Sequence, residues 1–149
     1  MNNNRKFENQ MDNTNTPGRD AIIFNDLNFE AAVREVLMKP KGAITKEEVS
    51  EIVELNISEK RISDISEIRF FTALEFLDLK GTQVSNLSPL KELKNLKRLH
   101  LIEYDENIER QITGLRANLQ DCDIISFLDL GGIRITTDAL VHILGDAKV

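Results

Sequence analysis

The stretch 77-LDLKGTQVSNLSPLKELKNLKRLHL-101 decides the fold, because an L-x-L pattern begins at Leu77 and again at Leu99. One step of the same length towards the N-terminus reaches Leu55, which opens an L-x-I pattern. The apolar residues between these patterns also coincide at this step: Ile62 with Val84, Ile65 with Leu87, Ile68 with Leu90, Phe71 with Leu93 and Leu74 with Leu96. The sequence therefore repeats with a 22-residue period and without insertion.

The two halves of each repeat predict different structures. In Leu77-x-Leu79 the two leucines point the same way, which is typical of a short strand with one buried face. From Val84 to Leu96 apolar residues recur mostly every three positions, which favours tight helical turns. One such coil cannot bury its own apolar side, so coils stack and share a core, as in leucine-rich repeats. The sequence predicts a short α/β solenoid with parallel strands on its concave face and helical turns on its convex face.

Residues 22–101 resemble the internalin-like leucine-rich repeat proteins of Gram-positive bacteria. The segment FNDLNFEAAVREVLMKPKGAITKEEV is similar to that family's helical N-terminal cap, and LEFLDLKGTQVSNLSPLKELKNLKRLHL is similar to its repeats. The resemblance implies a protein-interaction module, since many family members bind other proteins on the concave strand face. It implies no particular partner.

Four regions follow from this interpretation: a disordered tail (1–20), a helical N-terminal cap (21–53), the repeats (54–104) and an α/β closing region (105–149). The tail is polar and rich in asparagine, so it buries too little apolar surface to order itself. In the cap, a helix over 26–39 begins at Asp26 and ends before Pro40 and Gly42. Thr45 and Glu48 form a capping box that opens a second helix through Val53.

The chain departs from the family pattern at three positions, one period apart, that usually hold asparagine. Lys60, Thr82 and Tyr104 occupy them here, and only Thr82 can partly replace the asparagine side chain. We therefore expect a less regular or less stable stack. Pro89 matches the family, whereas its counterpart Glu67 does not.

The closing region begins with apolar residues at helical spacing, which predict an amphipathic helix over 105–119. Cys122-x-Ile124 is then a last strand, with Cys122 as a small buried residue or, less expectedly, a reactive thiol. Two interpretations of the next segment stay open. Either Gly131-Gly132 turns a hairpin, or Leu128-x-Leu130 is the next repeat strand. A short terminal helix over 137–144 is predicted in both.

Composition and motifs exclude several classes of function. The chain has 25 acidic and 19 basic residues and a net charge of −6, which disfavours nucleic-acid binding. No apolar stretch is long enough for membrane insertion, and the N-terminus lacks a signal-peptide core, so we expect a cytoplasmic protein. We find no catalytic motif, no metal-ligand spacing and no cofactor motif, so we expect no enzyme, metal or cofactor.

The strand face is the candidate site, because residues that alternate with the buried leucines share its concave side. They form three columns in register: Glu54, Phe76 and Arg98; Asn56, Asp78 and His100; Ser58, Lys80 and Ile102. Phe76 is expected to face outwards among charges of both signs, a combination typical of interaction hot spots. A flanking loop or the tail could instead cover it.

Two hypotheses of function result. The first is a non-enzymatic module that binds a protein partner of unknown identity on the concave face. The second is a structural scaffold that self-associates through its ends or convex face, where Phe70 is a second residue expected to be exposed.

Overall fold

A computed structural model of the protein describes residues 18–103, 106–129 and 134–136. These residues build a five-stranded sheet in chain order. Four parallel strands are followed by one antiparallel strand. The strands are β1 (Glu54–Asn56), β2 (Phe76–Asp78), β3 (Arg98–Glu103), β4 (Asp123–Asp129) and β5 (Arg134–Thr136). The parallel sheet confirms the predicted solenoid.

The predicted register between repeats is confirmed strand by strand. Leu55 pairs with Leu77, Leu77 with Leu99, and Leu99 with Ile124. All four side chains are buried, the three leucines completely. They belong to one continuous apolar cluster that runs from the cap through both repeats into the closing region. Burial of apolar surface shared between neighbouring coils is what stabilises such a stack.

The convex side is made of 3₁₀-helices, as the spacing of apolar residues predicts. They are η1 (Ser66–Phe70) and η2 (Ser88–Glu92). A short polar side chain starts each one, since Asp64 Oδ1 accepts from Ser66 N at 2.8 Å and Asn86 Oδ1 accepts from Ser88 N at 3.1 Å. The same local motif therefore recurs one repeat later.

The N-terminal cap consists of α1 (Leu27–Leu37) and α2 (Lys46–Ser50). Asp26 is the N-cap of α1, and the capping box of Thr45 and Glu48 is formed, as predicted. Both helices are shorter than predicted. The αL conformation of Met38 (φ 52°) ends α1 before Lys39, and α2 stops at Ser50 rather than at Val53.

The cap seals the first repeat through an aromatic stack and several hydrogen bonds. Phe29 is completely buried and stacks on Phe71, with ring centroids 6.0 Å apart. Asp26 Oδ2 accepts from the backbone N–H groups of Ser63 at 2.8 Å and Asp64 at 3.2 Å. The cap thus covers the open end of the first repeat, whose Leu55 is completely buried.

Residues 18–20, which end the predicted tail, take part in the cap. The carbonyl oxygen of Asp20 accepts from Lys46 N at 2.9 Å, and Ala21 forms an isolated antiparallel bridge with Thr45. Residues 1–17 lie outside the described residues.

The closing region begins with α3 (Glu106–Arg116), which confirms a helix within the predicted range 105–119. It buries Ile108, Ile112 and Leu115. The last parallel strand, β4, begins at Asp123 rather than at the predicted Cys122, and it runs on past Ile124 to Asp129. It pairs antiparallel with β5, which supports the hairpin interpretation. The alternative, in which Leu128 opens a further repeat strand, is wrong because Leu128 lies in the same strand as Ile124. The turn around Gly131-Gly132 and the predicted helix 137–144 lie outside the described residues.

The missing asparagines disturb the stack less than expected. Thr82 Oγ1 donates to the carbonyl oxygen of Leu79 at 2.7 Å, so it bonds to neighbouring backbone as predicted. Lys60 pairs with Glu35 of α1 instead, with Nζ and Oε2 2.8 Å apart. The register is unbroken from β1 to β3, and a shift occurs only where β3 pairs with β4. Tyr104 lies outside the described residues.

Candidate functional site

The concave face displays the predicted columns side by side. The column of Glu54, Phe76 and Arg98 is in register across β1 to β3, and Asp123 of β4 extends it. The column of Asn56, Asp78 and His100 is extended in the same way by Ile125. Ser58 and Lys80 follow β1 and β2, and the side chain of Ile102 lies outside the described part of the structure. Sequence reasoning missed Asp123 and Ile125, because β4 follows a longer connection than the repeats use.

Three side chains form the centre of this face. The rings of Phe76 and His100 meet edge to face, with centroids 5.2 Å apart and planes at 86°. His100 Nδ1 lies 3.4 Å from Asp78 Oδ2, at the long end of hydrogen bonding. Asp78 Oδ1 accepts from the backbone N–H of Lys80 at 2.9 Å. Asp78 therefore holds the imidazole from one side, and Phe76 holds it from another.

The burial of this centre corrects one expectation. Phe76 is half-buried rather than facing freely outwards, and Asp78 is only 7% exposed. The cause is lateral packing, because Phe76 on β2 reaches diagonally to His100 on β3, which belongs to the neighbouring column. The aromatic surface offered to a partner is thus smaller, and better fixed, than the sequence indicated.

Two candidate residues also shape the backbone. Asn56 Oδ1 accepts from Ser58 N at 3.0 Å and from Ser58 Oγ at 2.6 Å, which folds the turn after β1. Asp78 makes the corresponding bond to Lys80 N after β2. Asn56 and Asp78 therefore support the surface, whereas Glu54 and Arg98 are exposed on it.

An open depression of about 430 Å³ lies along the N-terminal ends of β1 to β4. Phe76 borders it, and Lys97 Nζ pairs with Glu75 Oε2 at 2.8 Å on its rim. The full lining is Val53, Glu54, Glu75, Phe76, Lys97, Arg98, Asp121 and Asp123. It mixes charges of both signs with the apolar side chains of Val53 and Phe76, as interaction surfaces commonly do.

Phe70 is not the exposed aromatic that the sequence predicted. It is half-buried against the core, and Lys46 Nζ and Arg69 Cζ each lie 4.9 Å from its ring centroid. Two cations thus cover a ring that the sequence predicted to be exposed. Among the described residues, the large apolar side chains with the highest exposed fraction lie instead in the cap: Met38 (89% exposed), Ile23 (81%) and Leu27 (76%).

Cys122 behaves as the small buried residue of the first interpretation. Burial first, and the nearby Asp123 carboxylate second, raise the pKa of its thiol to about 11, with Arg116 acting in the opposite direction. Because the thiolate is the reactive form, this environment disfavours nucleophilic or redox chemistry at Cys122.

Other site chemistry was sought in the described part of the chain. Among residues 18–103, 106–129 and 134–136, no group of three or more His, Cys, Asp or Glu side chains is arranged to hold a metal ion. None of the helices described there has the length and apolar character needed to cross a membrane.

Comparison with solved structures identifies the architecture. An internalin (inlF) from Listeria monocytogenes is 27% identical with a TM-score of 0.58, and the match covers 72% of this chain and 31% of that one. A structure of the CBM51-2 and INT domains of Clostridium perfringens ZmpB, in complex with GlcNAc, is 23% identical with a TM-score of 0.53, covering 66% of this chain and 21% of that one. The chain thus spans about a third or less of the length of these proteins. No protein-family model matches it, and no curated protein sequence matches it.

Proposed function

We propose that this internalin-like leucine-rich repeat protein is a non-enzymatic module that binds a protein partner on its concave face. The fold is one generally used for protein interaction. That this chain binds its partner through strands β1 to β4 is part of our proposal. The cytoplasmic location expected from the sequence remains a prediction beside it.

The observation that carries the proposal is the fixed centre of the concave face. Phe76 and His100 are already held by each other and by Asp78, so little side-chain freedom is lost when a partner covers them. Exposed charges of both signs, Glu54 and Arg98, stand on either side of Phe76 in its column. A partly apolar centre with a charged rim is the usual anatomy of a protein interface.

The test exchanges charges without touching buried residues. One bait carries Glu54→Lys with Arg98→Glu on the concave face. A matched control carries Glu92→Lys with Lys91→Glu on the convex helix η2, where both residues are also exposed. Each pair leaves the net charge unchanged. Both variants are first shown to unfold at the wild-type temperature.

Both baits and the wild type are used to retain proteins from a bacterial lysate and from a host-cell extract. We expect a partner that binds the wild type and the convex variant equally and is lost, by at least about tenfold, with the concave variant. A partner lost only with the convex variant would place the site on the other face. No partner for any bait in either extract would count against an interaction module.

Self-association through the cap is the second candidate function. Ile23, Leu27 and Met38 are the observation that favours it, because three large apolar side chains in one short region are mostly exposed. Sedimentation velocity over a hundredfold concentration range tests it. A size that grows with concentration, and does not grow in Leu27→Ser, would support self-association, whereas a constant monomer mass would reject it.

A further inference from the structure

We infer that the depression along the N-terminal ends of β1 to β4 receives an arginine side chain of the partner protein. The inference rests on the proposed concave-face function and names the chemistry of that contact. Phe76 borders the depression on its concave side, and Val53, which is 46% exposed, lines it as well.

The charge of the lining is uneven once internal pairs are removed. Of its four carboxylates, Glu75 is already bound to Lys97 at 2.8 Å. The remaining acidic side chains, Glu54, Asp121 and Asp123, are all exposed and face one cation, Arg98. A partner group that matches this surface is therefore positively charged.

The shape of the lining favours arginine over lysine. Carboxylates stand at both ends of the column of Phe76, on Glu54 and Asp123, with Phe76 next to Glu54 and Arg98 next to Asp123. A guanidinium group is planar, stacks on aromatic rings and donates two parallel hydrogen bonds to a carboxylate, whereas an ammonium group does neither. The net charge of −6 would also steer a basic partner towards the chain.

Arg98 is the internal competitor for these carboxylates. Arg98 lies in the same column, and its register neighbours are Phe76 and Asp123. Removing its charge should therefore strengthen binding of an external guanidinium group, whereas removing the carboxylates should weaken it.

The experiment uses small probes, so that it does not need the partner. The ¹⁵N-labelled full chain is titrated with Nα-acetyl-arginine amide while amide chemical shifts are followed. Nα-acetyl-citrulline amide serves as the neutral isostere, and Nα-acetyl-glutamate amide as the opposite charge. We expect arginine at millimolar concentration to shift the amides of residues 53–54, 75–76, 97–98 and 121–123, and citrulline to shift them at least about fivefold less.

Substitutions test whether the arginine probe binds at the depression. Glu54→Gln with Asp123→Asn should weaken the arginine response about fivefold or more, and Arg98→Gln should strengthen it about twofold or more. The matched control, Glu51→Gln with Glu109→Gln, removes two exposed carboxylates elsewhere and should leave it unchanged. Equal shifts with citrulline, larger shifts with glutamate, or equal loss in the control would each overturn the inference.

The two proposals fail separately. If a partner depends on the concave charges but the arginine probe does not bind the depression, the concave-face function stands and the arginine contact is wrong. If the probe binds as expected but no partner depends on the concave face, the contact is correct for a guanidinium group and the proposed function fails.

Discussion

The first repeat (54–75) and the second repeat (76–97) share every buried apolar position but differ where they meet their neighbours. The second repeat has residues that favour the local backbone, Gly81 with φ of 73° and Pro89 at the start of η2. The first repeat has Glu59 in the same left-handed conformation, with φ of 58°, and Glu67 at the helix start. Left-handed backbone costs about 1 kcal/mol or more for a residue with a side chain.

The atypical side chains of the first repeat bind the cap. Lys60 pairs with Glu35, and Glu67 Oε1 accepts from Asn25 N at 3.3 Å. The second repeat lies between the first repeat and α3. Its consensus-like residues form their hydrogen bonds within the repeat, as Thr82 does with the carbonyl oxygen of Leu79. The departures of the first repeat are therefore explained by its contacts with the cap.

The largest effect should come from the side chain that joins cap and first repeat. Asp26→Ala removes the N-cap of α1 and the acceptor for Ser63 and Asp64, so we expect unfolding free energy to fall by about 2 kcal/mol. Gln111→Ala, which removes the bonds to Leu87 N and Ser85 O at the other end, should cost about 1 kcal/mol. Urea unfolding of both variants at pH 7 is the measurement. Equal losses would contradict the asymmetry.

The same site should also give a pH signature. Burial raises the pKa of Asp26, but the backbone N–H donors of Ser63, Asp64, Phe29 and Asn28 outweigh it and hold the pKa below its ordinary value of 3.8. A lowered pKa means that the ionised form stabilises the fold, fully above the ordinary value and less as pH falls through the folded value. The stability advantage of the wild type over Asp26→Asn should therefore shrink below pH 3.8. An advantage independent of pH would show that charge is not the cause.

An intermediate effect, of opposite sign, is expected from making the first repeat more like the second. Glu67 is only 5% exposed, and its Oε2 has no hydrogen-bond partner in the described structure. Glu67→Pro removes that atom and restricts the unfolded chain, against the loss of one bond to Asn25, so we expect a gain of about 1 kcal/mol. Glu67→Ala separates the two contributions. A proline variant less stable than the wild type would show that the cap contact outweighs both.

The smallest effect should come from relieving the left-handed conformation of Glu59. Glu59→Gly should stabilise by about 0.5 kcal/mol, because glycine adopts the positive φ without strain but loses more entropy on folding. Gly81→Ala should destabilise by about 1 kcal/mol, since its Cβ would also meet the carboxyl group of Glu59. Thermal unfolding of both single variants and the double variant tests the pair. Two changes of the same sign would rule out this explanation.

Periodicity predicted what depends on the backbone and on apolar burial. The register of Leu55, Leu77 and Leu99 follows from the spacing, because a slip by one residue would turn the leucines to the other face of the sheet. Asp26 and the pair Thr45 and Glu48 were predicted because caps are local in sequence. These features need no knowledge of distant contacts.

Side-chain contacts between elements could not be predicted in the same way. Alternation placed Phe76 on the concave face, but its contact with His100 depends on rotamers in two strands. Phe70 was misjudged because Lys46, which covers it, belongs to the cap helix α2 rather than to a repeat. Glu67 was noticed as atypical, but nothing in the sequence indicated that its partner would be the backbone of Asn25. The residues of the concave site itself remain predictions, to be tested by the charge exchange.

One consequence follows from the way the convex loops are closed at each end. Asp26 accepts hydrogen bonds from the backbone N–H groups of Ser63 and Asp64 in the first loop. Gln111 bonds to the N–H of Leu87 and to the carbonyl oxygen of Ser85 in the last loop. Neither closing residue belongs to a repeat. A tandem duplication of one whole repeat, inserted between Glu75 and Phe76, would thus lengthen the array without altering either terminus. Variation in copy number, and with it the size of the recognition surface, is then open to selection by single genetic events.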